Sequence, residues 1–221
     1  MDENQGKFDL VEFSDIPLEW PQHLMLYGPT MSGKTTILKE ILRRSDFDLV
    51  IAFGSNVNEL GINSDGTELI PIRQRFKRIS KKLLQILRKT DKNQSKCVVF
   101  DDIMGETFDD DFWRSYISEC RHDNISIIVS MQYITAIPPV FRANIHQIFI
   151  TDCDRGTARK LSDLTSLTPN EISQYEFKDY NFLYIKKSYP KMINMVWKIG
   201  HTPDTTPPNI DHELIEDEIA E

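Results

Sequence analysis

Cysteine is scarce in this chain of 221 residues, which contains three, at Cys97, Cys120 and Cys153. Three scattered cysteines exclude a disulfide framework and a cysteine-rich metal site, so we expect a reducing compartment. The N-terminus opens on Asp2 and Glu3, where a secretory signal has a basic start and an apolar run. We therefore expect no secretory signal, and a chain of this length is long enough to bury a core without covalent staples.

Long apolar runs are also missing. The longest uncharged stretch, residues 124–141, is interrupted by serines, Gln132, Thr135 and the pair Pro138 and Pro139. Hydrocarbon does not accept such a segment, so we interpret it as a buried strand with its exit loop and expect no membrane span. No motif repeats at a fixed period, which excludes solenoids and propellers.

Basic residues are absent from the end of the chain. The formal net charge is −8, and residues 201–221 hold seven acids and neither Lys nor Arg. The sequence before this tail is nearly neutral, so the low pI of 5.2 does not argue against a nucleic-acid partner. We expect residues 1–200 to form one domain and the acidic tail, residues 201–221, to be mobile. The alternative for the tail is a docking helix with Ile210, Leu214, Ile215 and Ile219 along one side.

Short apolar runs alternate with helical patterns, which predicts an α/β fold with a mainly parallel central sheet covered by helices on both faces. A C-terminal hairpin of residues 181–186 and 193–199 is expected at the sheet edge. The predicted strands are residues 23–27, 48–53, 96–101, 125–131 and 147–151, and the predicted helices are residues 34–44, 74–88, 109–121, 155–164 and 170–175.

A phosphate-binding motif, G-x-x-x-x-G-K-[ST], is matched at every fixed position between the first of these strands and a helix. Backbone N–H groups of such a loop cradle phosphates at a helix N-terminus. The pattern and its context together favour ATP or GTP binding, with Mg²⁺, over a chance glycine turn. The candidate nucleotide-binding residues are Gly28, Pro29, Thr30, Met31, Ser32, Gly33, Lys34, Thr35 and Thr36.

Two carboxylates end the predicted strand of residues 96–101. We assign Asp101, with the Thr35 hydroxyl, to Mg²⁺, and Asp102 to the base that accepts a proton from the attacking water. Asp102 as a simple cap of the next turn is the alternative. An extra strand between the phosphate loop and this pair is typical of additional-strand P-loop ATPases, which favours an ATPase over a nucleotide kinase.

Two further polar residues flank the strand of residues 125–131. Gln132 follows it. Its amide either contacts the γ-phosphate or the attacking water as a sensor of hydrolysis, or the residue merely terminates the strand. Arg121 precedes it, either complementing a helix dipole or stabilising transition-state charge in a neighbouring subunit.

Basic residues crowd residues 73–96, with ten Lys or Arg against one acid, Asp91. Two readings stay open: a track for the phosphates of DNA, or the solvated face of an amphipathic helix that buries Ile79, Leu83, Leu84, Ile86 and Leu87. The candidate DNA-contacting residues are Arg73, Arg75, Lys77, Arg78, Lys81 and Lys82.

The motifs at residues 28–35, 98–102, 121–132 and 138–144 together resemble the poxvirus-type genome-packaging ATPases, a viral branch of the FtsK/HerA superfamily of DNA pumps. The resemblance spans about residues 22–151, and its acid pair, Arg-His dipeptide and terminal Gln are more specific than the phosphate loop. It implies that Lys34 binds nucleotide, that Asp101 and Asp102 are the acid pair, that Gln132 is the sensor and that Arg121 is a finger supplied in trans.

The resemblance further implies a homo-oligomeric ring, pentamer or hexamer, that uses ATP and Mg²⁺ to move double-stranded DNA into a capsid. A capsid or portal-vertex protein is then a partner, and viral assembly sites in the host cytoplasm, with retention in the virion, are the expected location. Two alternatives stay open: a nucleotide-dependent switch or clamp without motor activity, and a nucleotide kinase.

Overall fold

The computed structural model describes residues 9–102, 111–134, 139–165, 167–175, 177, 181–187 and 192–198. The predicted acidic tail, residues 201–221, lies outside the described residues. The strands are β1 Asp9–Glu12, β2 His23–Tyr27, β3 Leu49–Gly54, β4 Arg75–Phe76, β5 Lys96–Asp101, β6 Ile125–Met131, β7 Gln147–Ile150, β8 Asn181–Lys187 and β9 Met192–Lys198. The helices are α1 Lys34–Arg44, α2 Val57–Leu60, α3 Lys81–Arg88, α4 Asp111–Glu119, α5 Pro139–Asn144, α6 Arg155–Ser162 and α7 Pro169–Gln174.

One sheet joins the nine strands of the described part of the chain in the order β1-β9-β8-β7-β2-β6-β5-β3-β4. The strands from β7 to β4 are parallel, and β8 is antiparallel to both of its neighbours. The phosphate-loop strand β2 and the acid-bearing strand β5 are separated by β6. The predicted α/β fold with a mainly parallel sheet and an additional strand is confirmed.

Two apolar cores cover the faces of the sheet, because its central strands are apolar on both sides. Helix α1 presents Ile37, Leu38, Ile41 and Leu42 to one face at helical spacing. Helices α3 to α7 pack on the other face around Trp113. None of the described helices is long and apolar enough to cross a membrane.

The predicted helix of residues 74–88 is wrong at its N-terminal half. Arg75 and Phe76 instead pair with β3 as the short strand β4. The Arg75 guanidinium holds this segment in place by donating to the Ile70 and Gly61 carbonyl oxygens, at 2.6 and 2.8 Å. Helix α3 begins only at Lys81, where the Ser80 hydroxyl accepts the Leu83 N–H and caps the first turn.

Two further expectations are corrected. Ile86 does not belong to the buried side of α3: Leu84 and Leu87 are buried, whereas Ile86 is 51% exposed on the solvent side. The hairpin of β8 and β9 is antiparallel as predicted, but it is not the edge of the sheet. Strand β1 pairs with β9 in parallel and lies outside it; at four residues, β1 was too short to be recognised in the sequence.

Candidate nucleotide site

The polar residues predicted from the sequence meet at the carboxyl edge of the parallel sheet. Tyr27 at the end of β2 is paired with Met131 of β6, and Ser130 of β6 is paired with Asp101 of β5. The residues that follow these strands therefore emerge side by side. Ligands of open α/β sheets bind at this edge, so the register brings the predicted residues to the place where a ligand is expected.

The phosphate loop is anchored at its base to both strands that flank β2. The Gly28 N–H donates to the Met131 carbonyl oxygen on β6, at 3.3 Å. On the other side, the space where a Cβ of residue 28 would lie is filled by the hydroxyls of Thr151 and Ser32. Only glycine fits at position 28, because a Cβ would overlap with these two hydroxyls.

Lys34 begins α1 directly after Gly33, whose φ of 90° turns the loop into the helix. The Lys34 side chain is buried, and its Nζ donates to the Pro29 carbonyl oxygen at 2.5 Å. Burial lowers the pKa of Lys34, and the nearby carboxylates Asp102 and Asp101 oppose that change. The ammonium group thus sits folded against its own loop, within the field of the acid pair.

The other loop residues surround this lysine. Thr35 and Thr36 lie in the first turn of α1, half-buried and exposed, respectively. Met31 at the tip is 95% exposed and adopts a left-handed conformation with a φ of 63°. A bulky side chain in this conformation is strained, which is a feature that clusters at functional loops.

The acid pair occupies two different environments. Asp101 is 4% exposed at the end of β5, and burial raises the pKa of its carboxyl group, reinforced by the nearby Asp102 charge. Asp102 is half-exposed, and its backbone is left-handed with a φ of 49°. Its N–H donates to the Ser130 carbonyl oxygen at 3.0 Å, so the strained residue is held to β6.

Gln132 connects the acid pair to the phosphate loop. Its Nε2 donates to Asp102 Oδ2 at 2.7 Å, and its Oε1 accepts the Thr30 hydroxyl at 2.9 Å. Both ends of one amide are therefore used, which fixes its orientation. A displacement of either the loop or the carboxylate is transmitted to the other through this side chain.

Two residues of the site were not singled out in the sequence. Thr151 after β7 contacts the loop, and Gly54 at the end of β3 lies against the Asp101 carbonyl oxygen, where any Cβ would overlap with it. A threonine and a glycine at strand ends are too common to signal a role. Their importance comes from strand neighbours that only the sheet order reveals.

Arg121 lies apart from the other site residues. It precedes β6 and so lies at the amino edge of the sheet, opposite the phosphate loop. Its Nη1 is 2.7 Å from His146 Nε2, while His146 Nδ1 accepts the His23 N–H at 3.3 Å. A neutral imidazole has one acceptor nitrogen, so these two donors compete for His146.

His23 is fully buried beside this pair and donates its Nε2–H to the Ile117 carbonyl oxygen, at 2.9 Å. Burial lowers the pKa of His23 to about 4, and the charges of His146 and Arg121 act in the same direction. The ring is therefore neutral in the folded protein at neutral pH.

The basic segment divides into two groups. Arg73, Lys77, Arg78, Lys81 and Lys82 are exposed, and we call these five residues the basic surface. Lys89 is exposed as well. The other four make contacts within the chain: Arg75 holds β4 in place, Arg88 pairs with Asp123 and Glu119, Lys92 pairs with Asp123, and the buried Lys96 donates to the Asp91 carbonyl oxygen.

No protein-family model matches the sequence, and no curated protein matches it. Solved structures do match. The genome packaging NTPase B204 of Sulfolobus turreted icosahedral virus 2, in complex with AMPPCP, is 15% identical, with a TM-score of 0.63 over 83% of this chain and all of B204. B204 of Sulfolobus turreted icosahedral virus, a DNA-packaging ATPase, gives 15% identity and a TM-score of 0.60 over 81% of this chain and 98% of its own.

A further ATPase structure shares the fold. ATPases 2 and 3 of EssC from Geobacillus thermodenitrificans match with 14% identity and a TM-score of 0.52, over 83% of this chain and 40% of that protein. At these identities the likeness concerns the fold. This chain has the fold of the P-loop ATPases, and the B204 structures match it over nearly their whole length.

The buried His23 generates a prediction about stability. Its folded-state pKa of about 4 lies below the ordinary value, so its neutral form stabilises the fold at neutral pH, and this contribution is lost as pH falls from about 6.5 toward 4. The loss should reach about 3 kcal/mol. His23→Gln keeps a donor for Ile117 but does not titrate, so urea unfolding should show a flatter pH dependence between pH 7 and 4.

His122 provides the matched control because it is exposed. His122→Gln should keep the wild-type pH dependence. If the His23→Gln and wild-type unfolding free energies fall in parallel with pH, burial of a neutral His23 is not the cause.

Proposed function

We propose that this chain is an ATP-driven motor that translocates double-stranded DNA and packages a viral genome into its capsid. The observation that carries the proposal is the Thr30–Gln132–Asp102 connection, which links a phosphate loop to an acid pair on a strand that is not its neighbour. The match of the B204 fold, over 83% of this chain, supports the packaging function. A nucleotide kinase is disfavoured because β6 separates β2 from β5.

The loop fits a nucleotide phosphate and Mg²⁺. Gly28 lets the Thr151 and Ser32 hydroxyls pack against the base of the loop, and the Lys34 ammonium needs only to leave the Pro29 carbonyl oxygen to meet an anion. The Thr35 hydroxyl and the Asp101 carboxylate would hold Mg²⁺, since oxygen ligands are those this ion prefers. When bound, the ion neutralises charge that develops on the phosphates.

Hydrolysis requires a group that takes a proton from water. Asp102 is the better placed carboxylate because it is partly open to solvent, whereas Asp101 is buried. Gln132 holds Asp102 Oδ2 at 2.7 Å, which leaves the other carboxylate oxygen for a water. We assign proton acceptance to Asp102 and its orientation to Gln132.

Asp102→Asn tests this assignment. Asparagine keeps an oxygen for the Gln132 amide but cannot accept a proton, so ATPγS affinity should stay within about threefold of wild type while turnover falls about 100-fold or more. Equilibrium binding and steady-state phosphate release measure the two effects separately. If Asp102→Asn abolishes Mg-nucleotide binding, Asp102 is a metal ligand instead.

The finger role of Arg121 requires a second subunit. Its own phosphate loop lies at the opposite edge of the sheet, so Arg121 is suited to act on a neighbour's nucleotide in a ring, pentameric or hexameric. Arg121 competes with the His23 N–H for the His146 ring, so its guanidinium should leave His146 easily to reach a neighbour's nucleotide. A trans finger stabilises the charge of the transition state.

Mixing experiments test this role. Arg121→Ala and Lys34→Ala should each lose about 100-fold or more in turnover, the first with normal ATPγS binding, because each removes a positive charge from the transition state. A mixture should recover part of the activity, since some interfaces pair an intact loop with an intact finger. Full turnover by Arg121→Ala in assembled rings would remove Arg121 from the site.

DNA contact is proposed for the basic surface. Lys77 and Arg78 directly follow β4, whose pairing with β3 places them at the same edge of the sheet as the acid pair. Lys81 and Lys82 begin α3 beside them, with Lys81 Nζ 5.4 Å from the centre of the Phe112 ring. A polyanion bound here would lie two strands from the acid-bearing strand. Arg75 is omitted because its guanidinium holds β4 in place.

Charge reversal tests the surface. Lys77→Glu with Lys82→Glu leaves the Lys81 contact with Phe112 intact and should weaken binding to any double-stranded sequence, reducing the slope of log K against log salt by about 2. Arg159→Glu with Lys160→Glu, an exposed pair on α6, is the control with the same change in charge. If the slope of the first variant is unchanged, the basic surface does not bind DNA, and α3 is an ordinary amphipathic helix with a solvated face.

A nucleotide-dependent switch or clamp is distinguished from a motor by turnover. The motor should hydrolyse ATP faster when double-stranded DNA is present, whereas a clamp should show no such stimulation. We further propose a capsid or portal-vertex protein as partner and viral assembly sites in the host cytoplasm as location; both follow from the packaging function alone.

A further inference from the structure

Thr151, the residue after β7, contacts the phosphate loop from outside it. The residue is 5% exposed, and both its N–H and its Oγ1 point at the Tyr27 carbonyl oxygen, at 2.9 and 3.2 Å. Tyr27 is the last residue before Gly28. Thr151 therefore fixes the point at which the chain leaves β2 and enters the loop.

The Thr151 hydroxyl also meets the middle of the loop. Its Oγ1 is 2.5 Å from Ser32 Oγ, and Ser32 Oγ donates to the Pro29 carbonyl oxygen at 2.8 Å. A serine hydroxyl has one proton, so when Ser32 donates to the Pro29 carbonyl oxygen, Thr151 must be the donor between the two hydroxyls. The Thr151 hydroxyl then donates to Ser32 Oγ, and Ser32 Oγ donates to Pro29. The Thr151 N–H still donates to the Tyr27 carbonyl oxygen.

The end of this series is the carbonyl that Lys34 also contacts. Lys34 Nζ and Ser32 Oγ both donate to the Pro29 oxygen, at 2.5 and 2.8 Å. When the Lys34 ammonium turns to a phosphate, Ser32 remains on this oxygen and keeps the loop in its shape. Ser32 is itself held by Thr151, which directly follows β7 and is bonded to the Tyr27 carbonyl oxygen at the end of β2.

We propose that Thr151 is a positioning residue for the phosphate loop: through Ser32, its hydroxyl keeps the loop open for phosphate while Lys34 changes partners. This inference rests on the proposed nucleotide-binding function. A loop held in the same shape before and after binding costs less to order, so the benefit is to nucleotide affinity. This free-energy benefit is the same in the bound ground state and in the transition state. Loss of the Thr151 hydroxyl should therefore change KM and not kcat.

The test compares three variants of the full chain. Thr151→Val removes the hydroxyl at nearly constant shape and should weaken ATPγS binding and raise the KM for ATP about fivefold, with kcat within twofold. Thr151→Ser restores the hydroxyl and should return both values to wild type. Thr165→Val, at another buried threonine in the turn between α6 and α7, should change neither.

A double-mutant cycle keeps the proposal falsifiable if Thr151→Val folds poorly. Ser32→Ala should weaken ATPγS binding by a similar factor, and Ser32→Ala combined with Thr151→Val or Thr151→Ala should be no worse than either single variant. Additive losses, or wild-type affinity in Thr151→Val, would overturn the role of Thr151. Failure of the wild-type chain to bind ATPγS would instead overturn the proposed function itself.

Discussion

The candidate site depends on one hydrogen-bonded side chain, Gln132. Because β6 lies between the phosphate-loop strand and the acid-bearing strand, the residue after β6 is the one that touches both neighbours. The oxygen of its amide accepts from Thr30 and the nitrogen donates to Asp102, so this one side chain connects the loop to the acid pair. Without β6 at this place, loop and acid would have no shared partner, and the chemistry proposed here would lack its link.

The remaining contacts hold this arrangement from the sides. Gly54 lets β3 approach the Asp101 carbonyl, and Thr151 presses on the loop from β7, so strands on both sides of the site limit its movement. The left-handed backbone of Asp102 is tolerated because β5 precedes it and its N–H is held by the Ser130 carbonyl oxygen on β6. Lys77 and Arg78 of the basic surface follow β4 at the same edge, so the DNA proposed to bind there would lie two strands from β5.

The sequence predicted the features that local patterns encode. Helix α1 was predicted to the residue because Ile37, Leu38 and Ile41 repeat at helical spacing after a glycine, and the buried strands because they are short apolar runs. It did not predict β4, where the contacts of Arg75 with distant carbonyls override the helical pattern. The role of Thr151 was also hidden, since no local signal says which loop lies beside the end of a strand.

We propose that nucleotide turnover at this edge drives movement along DNA. The most direct measurement is displacement of a third strand from a double-stranded DNA that carries a triplex block, with purified wild-type rings. We expect ATP-dependent release of the third strand, no release with ATPγS in the same period, and later release as the block is placed farther from the loading end. ATP hydrolysis that is stimulated by the same DNA but never releases the third strand would contradict it.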